Sequence, residues 1–103
     1  MKYVMIEVAF NNEEEVNLTK EKLLKEKLVA SLQVIVSDSA WNYKGELESD
    51  KEYLVFMKTK DSLINEVYKL IKKIHSYNVP EFAVFPLTSP SNDYLKWIEE
   101  ETE

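Results

Sequence analysis

The chain has 103 residues, 45% of them hydrophobic and 31% charged, a balance that suits one buried core and excludes a disordered or collagen-like polymer. It contains no cysteine, which removes disulfides, thiolate nucleophiles and cysteine-bound metals. A net charge of -6 and the complete lack of arginine disfavour nucleic-acid binding and arginine-clamped phosphate chemistry, because phosphates select clusters of Lys and Arg.

Residues 2–10 alternate, Val4, Ile6 and Val8 against Tyr3, Met5 and Glu7, and predict a strand with one buried face. Glu7 interrupts this segment and no small-residue cleavage site follows, so it reads as a strand and not as a signal peptide. With no apolar run near the ~20 residues that span a bilayer, no membrane partner is expected, and the cytoplasm is the expected location.

Asn12 is placed to cap a first helix, with Glu15 three residues on to close a capping box and Glu13 and Glu14 at the positive end of the dipole. The helix is expected to run to about Leu28, with Val16, Leu23, Leu24 and Leu28 on its buried stripe. Its lysines, set among glutamates, read as a solvated face.

From Leu32 to Tyr43 the residues are β-formers, Lys44-Gly45 supplies a turn, and Glu46 to Thr59 returns as a second long strand. Asp61 or Ser62 is the expected cap of the next helix, whose stripe is Leu63, Ile64, Val67, Leu70, Ile71 and Ile74. Phe82 to Leu87 predicts a short strand, placed at an edge by Pro86, whose nitrogen cannot join a ladder. Ser89 as cap and Pro90 at the first position predict a last helix through Tyr94, Leu95, Trp97 and Ile98. The acidic end, Glu99 to Glu103, reads as a fraying, solvated terminus.

The order β-α-β-β-α-β plus a C-terminal helix is the split βαβ pattern of ferredoxin-like folds, and predicts one α+β domain over residues 1–103. The hairpin arms exceed the usual ~5 to 6 residues of a strand. Trp41, Tyr43 and Leu47 lie on its outer half, and exposed edges of this kind are normally paired or protected. Pairing with further copies of the chain is the economical cover, so a homo-oligomer is expected.

Several segments then resemble, in order and spacing, the CutA divalent-cation tolerance protein family: Leu28 to Val34, Trp41 to Leu47, Glu52 through Lys58-Thr59, His75 to Glu81, and Asp93 to Ile98. The resemblance implies a ferredoxin-like sandwich with a long hairpin between its second and third strands, a C-terminal helix and a PII-like homotrimer. It also implies a link to copper tolerance, with His75 and Glu81 as metal contacts. Departures from the family pattern include Ser31 and Val8 where some members carry cysteine, Trp41-Asn42-Tyr43 in reversed order, and Ser76 in place of proline. A thiolate copper site does not survive them.

His75, with Tyr77 and Glu81 nearby, offers an imidazole and a carboxylate for a weakly bound Cu or Zn, with further ligands needed from another subunit. The commoner role of such a histidine is to close a helix. Pro80-Glu81 reads as a strand-entry turn and not as a catalytic acid, for the sequence places no second carboxylate at reacting distance. Trp41, Tyr43, Leu47 and Trp97 read as interface anchors. Lys58-Thr59 reads as a strand-to-helix cap ahead of an anion contact.

Three functions follow in order of preference. The first is a homotrimeric binding protein of divalent metals with no catalytic residues. The second is a signalling or scaffold trimer that recognises an unidentified protein partner. The third, an acylphosphatase-like enzyme, lacks the arginine cradle that its chemistry needs in the loop at Phe10-Asn11-Asn12.

Overall fold

A computed structural model describes residues 2–103. Strand β1, Tyr3–Phe10, sends Val4, Ile6, Val8 and Phe10 into the core on alternate positions, all of them fully buried. Helix α1, Glu13–Lys25, starts where the Asn12 side chain accepts the Glu15 amide at 3.1 Å. The expected capping box is not closed, because the Glu15 carboxylate accepts the Ser76 amide instead, at 3.0 Å.

The buried stripe of α1 is Val16, Thr19 and Leu23, and Leu24 is exposed. At about 100° per residue Leu24 is rotated a quarter-turn off the stripe, whereas Thr19 and Leu23 lie close to the direction of Val16. The helix ends earlier than expected. Lys27 takes a left-handed φ of 57° and lets the chain turn so that Leu28 is buried from outside the helix.

Strands β2, Ser31–Tyr43, and β3, Glu46–Lys60, form the hairpin. Lys44 and Gly45, with φ of 51° and 80°, make the turn, as a two-residue connection between twisted strands requires. A single turn of 3-10 helix at Asp61–Leu63 leads into α2, Ile64–Ile74, and neither Asp61 nor Ser62 caps it through a side chain. Val67 and Ile71 are fully buried. Strand β4, Phe82–Pro86, pairs with β1 alone.

The sheet order β2-β3-β1-β4, antiparallel throughout, is the ferredoxin-like arrangement of a mixed α+β fold. Helix α3, Asn92–Glu101, is capped by Ser91, which accepts the Tyr94 amide at 3.2 Å. Ser89, the expected cap, instead accepts the amide of Ser91 at 3.0 Å.

The acidic end is held and does not fray at Glu99. That carboxylate pairs with Lys60 at 2.9 Å and Lys2 at 3.1 Å, and accepts the Tyr3 hydroxyl. Thr102 is buried with its hydroxyl donated to Ile98 O, and the Glu103 amide donates to Lys27 O at 3.0 Å.

The core lies between the helices and one face of the sheet. The other face carries Met5, Glu7, Glu52, Leu54, Phe56, Ile35 and Phe85, by the alternation of the paired strands. Strand β2 is an edge, and its consecutive residues Ile35 and Val36, which point to opposite faces, are 54% and 58% exposed. An edge of 13 residues with apolar side chains uncovered on both faces calls for a partner.

Candidate acidic cleft

Residues 75–81 leave the end of α2 and pass beside the end of β1, where the His75 Nε2 lies 2.7 Å from Ala9 O. This loop and the outer half of the hairpin border an open cleft of about 1020 Å³, with Glu7, Glu52, Glu81, Trp41, Tyr43 and Tyr77 among its lining residues. Glu48 adds a further carboxylate on the Glu52 face of β3, whereas the Asp38 side chain alternates onto the other face of the hairpin; among the described residues no lysine lines the cleft.

Glu7 sits mid-strand facing Ala83 of β4, so Glu81, two residues earlier, falls on the same side of the sheet. Glu81 stands exposed at the lip of the cleft. Its carboxyl is nonetheless held above the ordinary value, first by local loss of water and then by the Glu7 carboxylate beside it, with Glu52 a smaller contributor. Water at an exposed group screens this repulsion.

Glu52 is only 6% exposed, and its Oε2 accepts the Tyr77 hydroxyl at 3.2 Å. Burial, then the Glu52 charge, pushes the Tyr77 phenol up to about 12. No ion pair to Glu52 forms among the described residues.

His75 stands behind the cleft wall and not in its lining. Its Nδ1 accepts the Tyr77 amide at 3.1 Å, which leaves Nε2 to carry the proton and donate to Ala9 O. The ring stacks on Phe10 at 4.4 Å between centroids and is 7% exposed. Both nitrogens are therefore in use within the protomer, and a metal at His75 would displace one of these bonds.

The structure thus brings Glu81, Trp41 and Tyr43 to one cleft and leaves His75 beside it. Leu47 is 77% exposed near the hairpin tip, and Trp97 lies on α3 stacked against Tyr94. Thr59 donates to Leu28 O at 2.6 Å and Lys58 to the Gln33 side chain, so both are engaged within the fold.

Sequence reasoning missed Glu7 and Glu52 as lining residues. The available signal was a glutamate at the non-core positions of β-alternation in two strands that pair with each other.

Among the described residues no three His, Asp or Glu side chains converge as a complete metal-binding group. The donors present fit a hard or borderline divalent cation as a partial set, through carboxylate oxygens, and offer copper(I) no thiolate. No helix of the described chain is long and apolar enough to cross a membrane.

Residues 4–101 match the family described as CutA1 divalent ion tolerance protein. A protein named divalent-cation tolerance protein CutA, from Pyrococcus horikoshii, is 31% identical over 99 residues, covering 96% of this chain and 97% of that one. Protein CutA, chloroplastic, from Arabidopsis thaliana is 29% identical across 96% of this chain, which spans only 55% of that protein's length. Among solved structures, the periplasmic divalent cation tolerance protein CutA from Archaeoglobus fulgidus superposes with a TM-score of 0.93 at 27% identity, covering 98% of this chain and 99% of that one.

Proposed function

The chain belongs to the CutA1 divalent ion tolerance protein family, and from that premise we propose that it is a homotrimeric binding protein that holds a divalent cation, copper(II) or zinc, weakly at clefts between subunits. The observation that carries this reading is the carboxylate set of the cleft wall, where Glu81 stands at the lip with Glu7 beside it and no lysine in the lining.

A cation there relieves the repulsion between Glu7 and Glu81. Two carboxylates make an incomplete ligand set, and a neighbouring subunit, drawn in by the uncovered edge β2, supplies the remainder. His75 joins the ligand set only by giving up the Tyr77 amide or Ala9 O, so Glu81 is the stronger ligand of the pair. Binding and release of a cation exchange coordinated water for carboxylate oxygens and change no covalent bond of the chain, and we assign no catalytic residue.

A chain without cysteine suits a reducing compartment, and we place it in the cytoplasm. The relatives named chloroplastic and periplasmic keep to other compartments, so fractionation of the native cell tests that placement. Calorimetric titration of zinc and copper(II) into the wild type and Glu81→Gln tests the site. The expected result is saturable binding that Glu81→Gln weakens, and equal binding by both chains would overturn it.

A further inference from the structure

Residues 75–81 carry Glu81 to the lip of the cleft, and the anchors of that loop lie ahead of it in the chain. The His75 Nδ1 accepts the Tyr77 amide at 3.1 Å, the Ser76 amide donates to Glu15 at 3.0 Å, and the Lys72 Nζ donates to Asn78 O. The Tyr77 hydroxyl reaches furthest, crossing to the buried Glu52 of β3 at 3.2 Å.

Beyond Tyr77 the chain is short and stiff. Pro80 fixes its own φ and keeps Val79 before it extended, and at Phe82 the chain enters β4 opposite Val8. Glu81 is therefore held between the ladder on one side and the Tyr77 anchor on the other. The restraint acts against a repulsion, for the Glu7 carboxylate lies beside Glu81 and like charges drive each other apart. A slack loop would let Glu81 swing out into water.

We propose that Tyr77 is a positioning residue of the cation site: it ties its loop to β3 through Glu52 and to the end of α2 through His75, and so presents the Glu81 carboxylate beside Glu7 for a divalent cation. The gain is preorganisation, because a carboxylate already ordered in place spares binding the cost of ordering it. Tyr77 is no ligand in this scheme, since its hydroxyl is committed to Glu52. The role rests on the cation reading of the cleft, whereas the anchor itself is measured on the metal-free protein.

The test joins two measurements on the 103-residue protein: hydrogen exchange of the amides of residues 76–81 without metal, and calorimetric titration of zinc. Wild type is compared with Tyr77→Phe, Glu52→Gln, Glu81→Gln and the double variant Tyr77→Phe with Glu52→Gln, each with a thermal melt. Tyr77→Phe keeps the ring against His75, 4.8 Å between centroids, and loses only the hydroxyl. It also leaves the Glu52 charge buried without its donor, which lowers stability. The double variant removes that charge along with the bond, and serves as the anchor-free protein if the single variant unfolds.

We expect Tyr77→Phe to speed exchange at residues 76–81 roughly tenfold, the size for one lost hydrogen bond to a charged group, and to weaken zinc binding about three- to tenfold, the size for one side chain that must be ordered on binding. Glu52→Gln still offers the phenol an oxygen and is expected to lose less of both, and the double variant to match Tyr77→Phe. Glu81→Gln weakens zinc binding without speeding exchange.

Zinc binding by Tyr77→Phe equal to that of the wild type, or exchange that it leaves unchanged, would overturn the proposal by showing that β4 alone places Glu81. A larger loss of zinc binding in Glu52→Gln than in Tyr77→Phe would also overturn it, since the charge of Glu52 and not its bond to Tyr77 would then matter. A wild type that takes up no zinc defeats the cation reading and this role together, whereas zinc binding that Glu81→Gln weakens and Tyr77→Phe does not defeats this role alone.

Discussion

Tyr77 donates its hydroxyl hydrogen to Glu52 Oε2 across 3.2 Å, which ties the loop after α2 to the middle of β3. Ionising that phenol would set a second negative charge against the first in a partly dry site. Phenolate absorbance during an alkaline titration is expected to show one tyrosine lagging to about pH 12. The lagging component disappears in Tyr77→Phe; its persistence in that variant would assign it elsewhere.

Glu99 joins α3 to the start of β1 and the end of β3. Lys60, then Lys2, hold its carboxyl down at about 2, below the ~4.3 of a free glutamate. A depressed folded value means stability that is present above the unfolded value and lost as pH falls through the folded one. Urea midpoints are therefore expected to decline between about pH 5 and 2, and Glu99→Gln is expected to lower the midpoint at neutral pH and flatten that decline. An equal acid slope in both proteins would contradict the assignment.

Gly45 has open space where a Cβ would stand, so only its φ of +80° opposes a side chain. Left-handed backbone costs an L-residue about 1 to 2 kcal/mol, less for asparagine. Gly45→Ala is expected to lose about 1 kcal/mol in denaturant unfolding, and Gly45→Asn to lose less. An alanine variant as stable as the wild type would show that the turn relaxes.

His75 is expected to matter for the fold whatever its part in metal binding. His75→Ala removes the stack on Phe10 and leaves Ala9 O and the Tyr77 amide without their partner. The expected loss is about 2 to 4 kcal/mol, the range for truncating a large buried side chain. A loss under 0.5 kcal/mol would mean that the ring is not held as described.

The strands and their order were legible because alternation over Val4, Ile6 and Val8 and the Lys44-Gly45 turn are local signals. Helix ends were less so. Ser89 and Ser91 are both competent caps in sequence, and only the path of the chain after β4 decides for Ser91. Glu15 carries the mark of a capping box, but the Ser76 amide, 61 residues away, takes its carboxylate.

The same distance in sequence explains the site. Glu81 stood out through its motif, whereas Glu7 and Glu52 became its neighbours only through the pairing of β1 with β3 and β4. The anchoring of Glu99 was hidden for that reason too, since Lys2 and Lys60 are far from it along the chain.

We infer that further copies of this chain cover the edge strand β2, whose Ile35 and Val36 are exposed on its two faces. The most direct test is the mass in solution by light scattering after size exclusion, at micromolar concentration. A particle of three times the 12.1 kDa protomer is expected, and Ile35→Glu is expected to disperse it. A stable species of 12.1 kDa in the wild-type protein would contradict it.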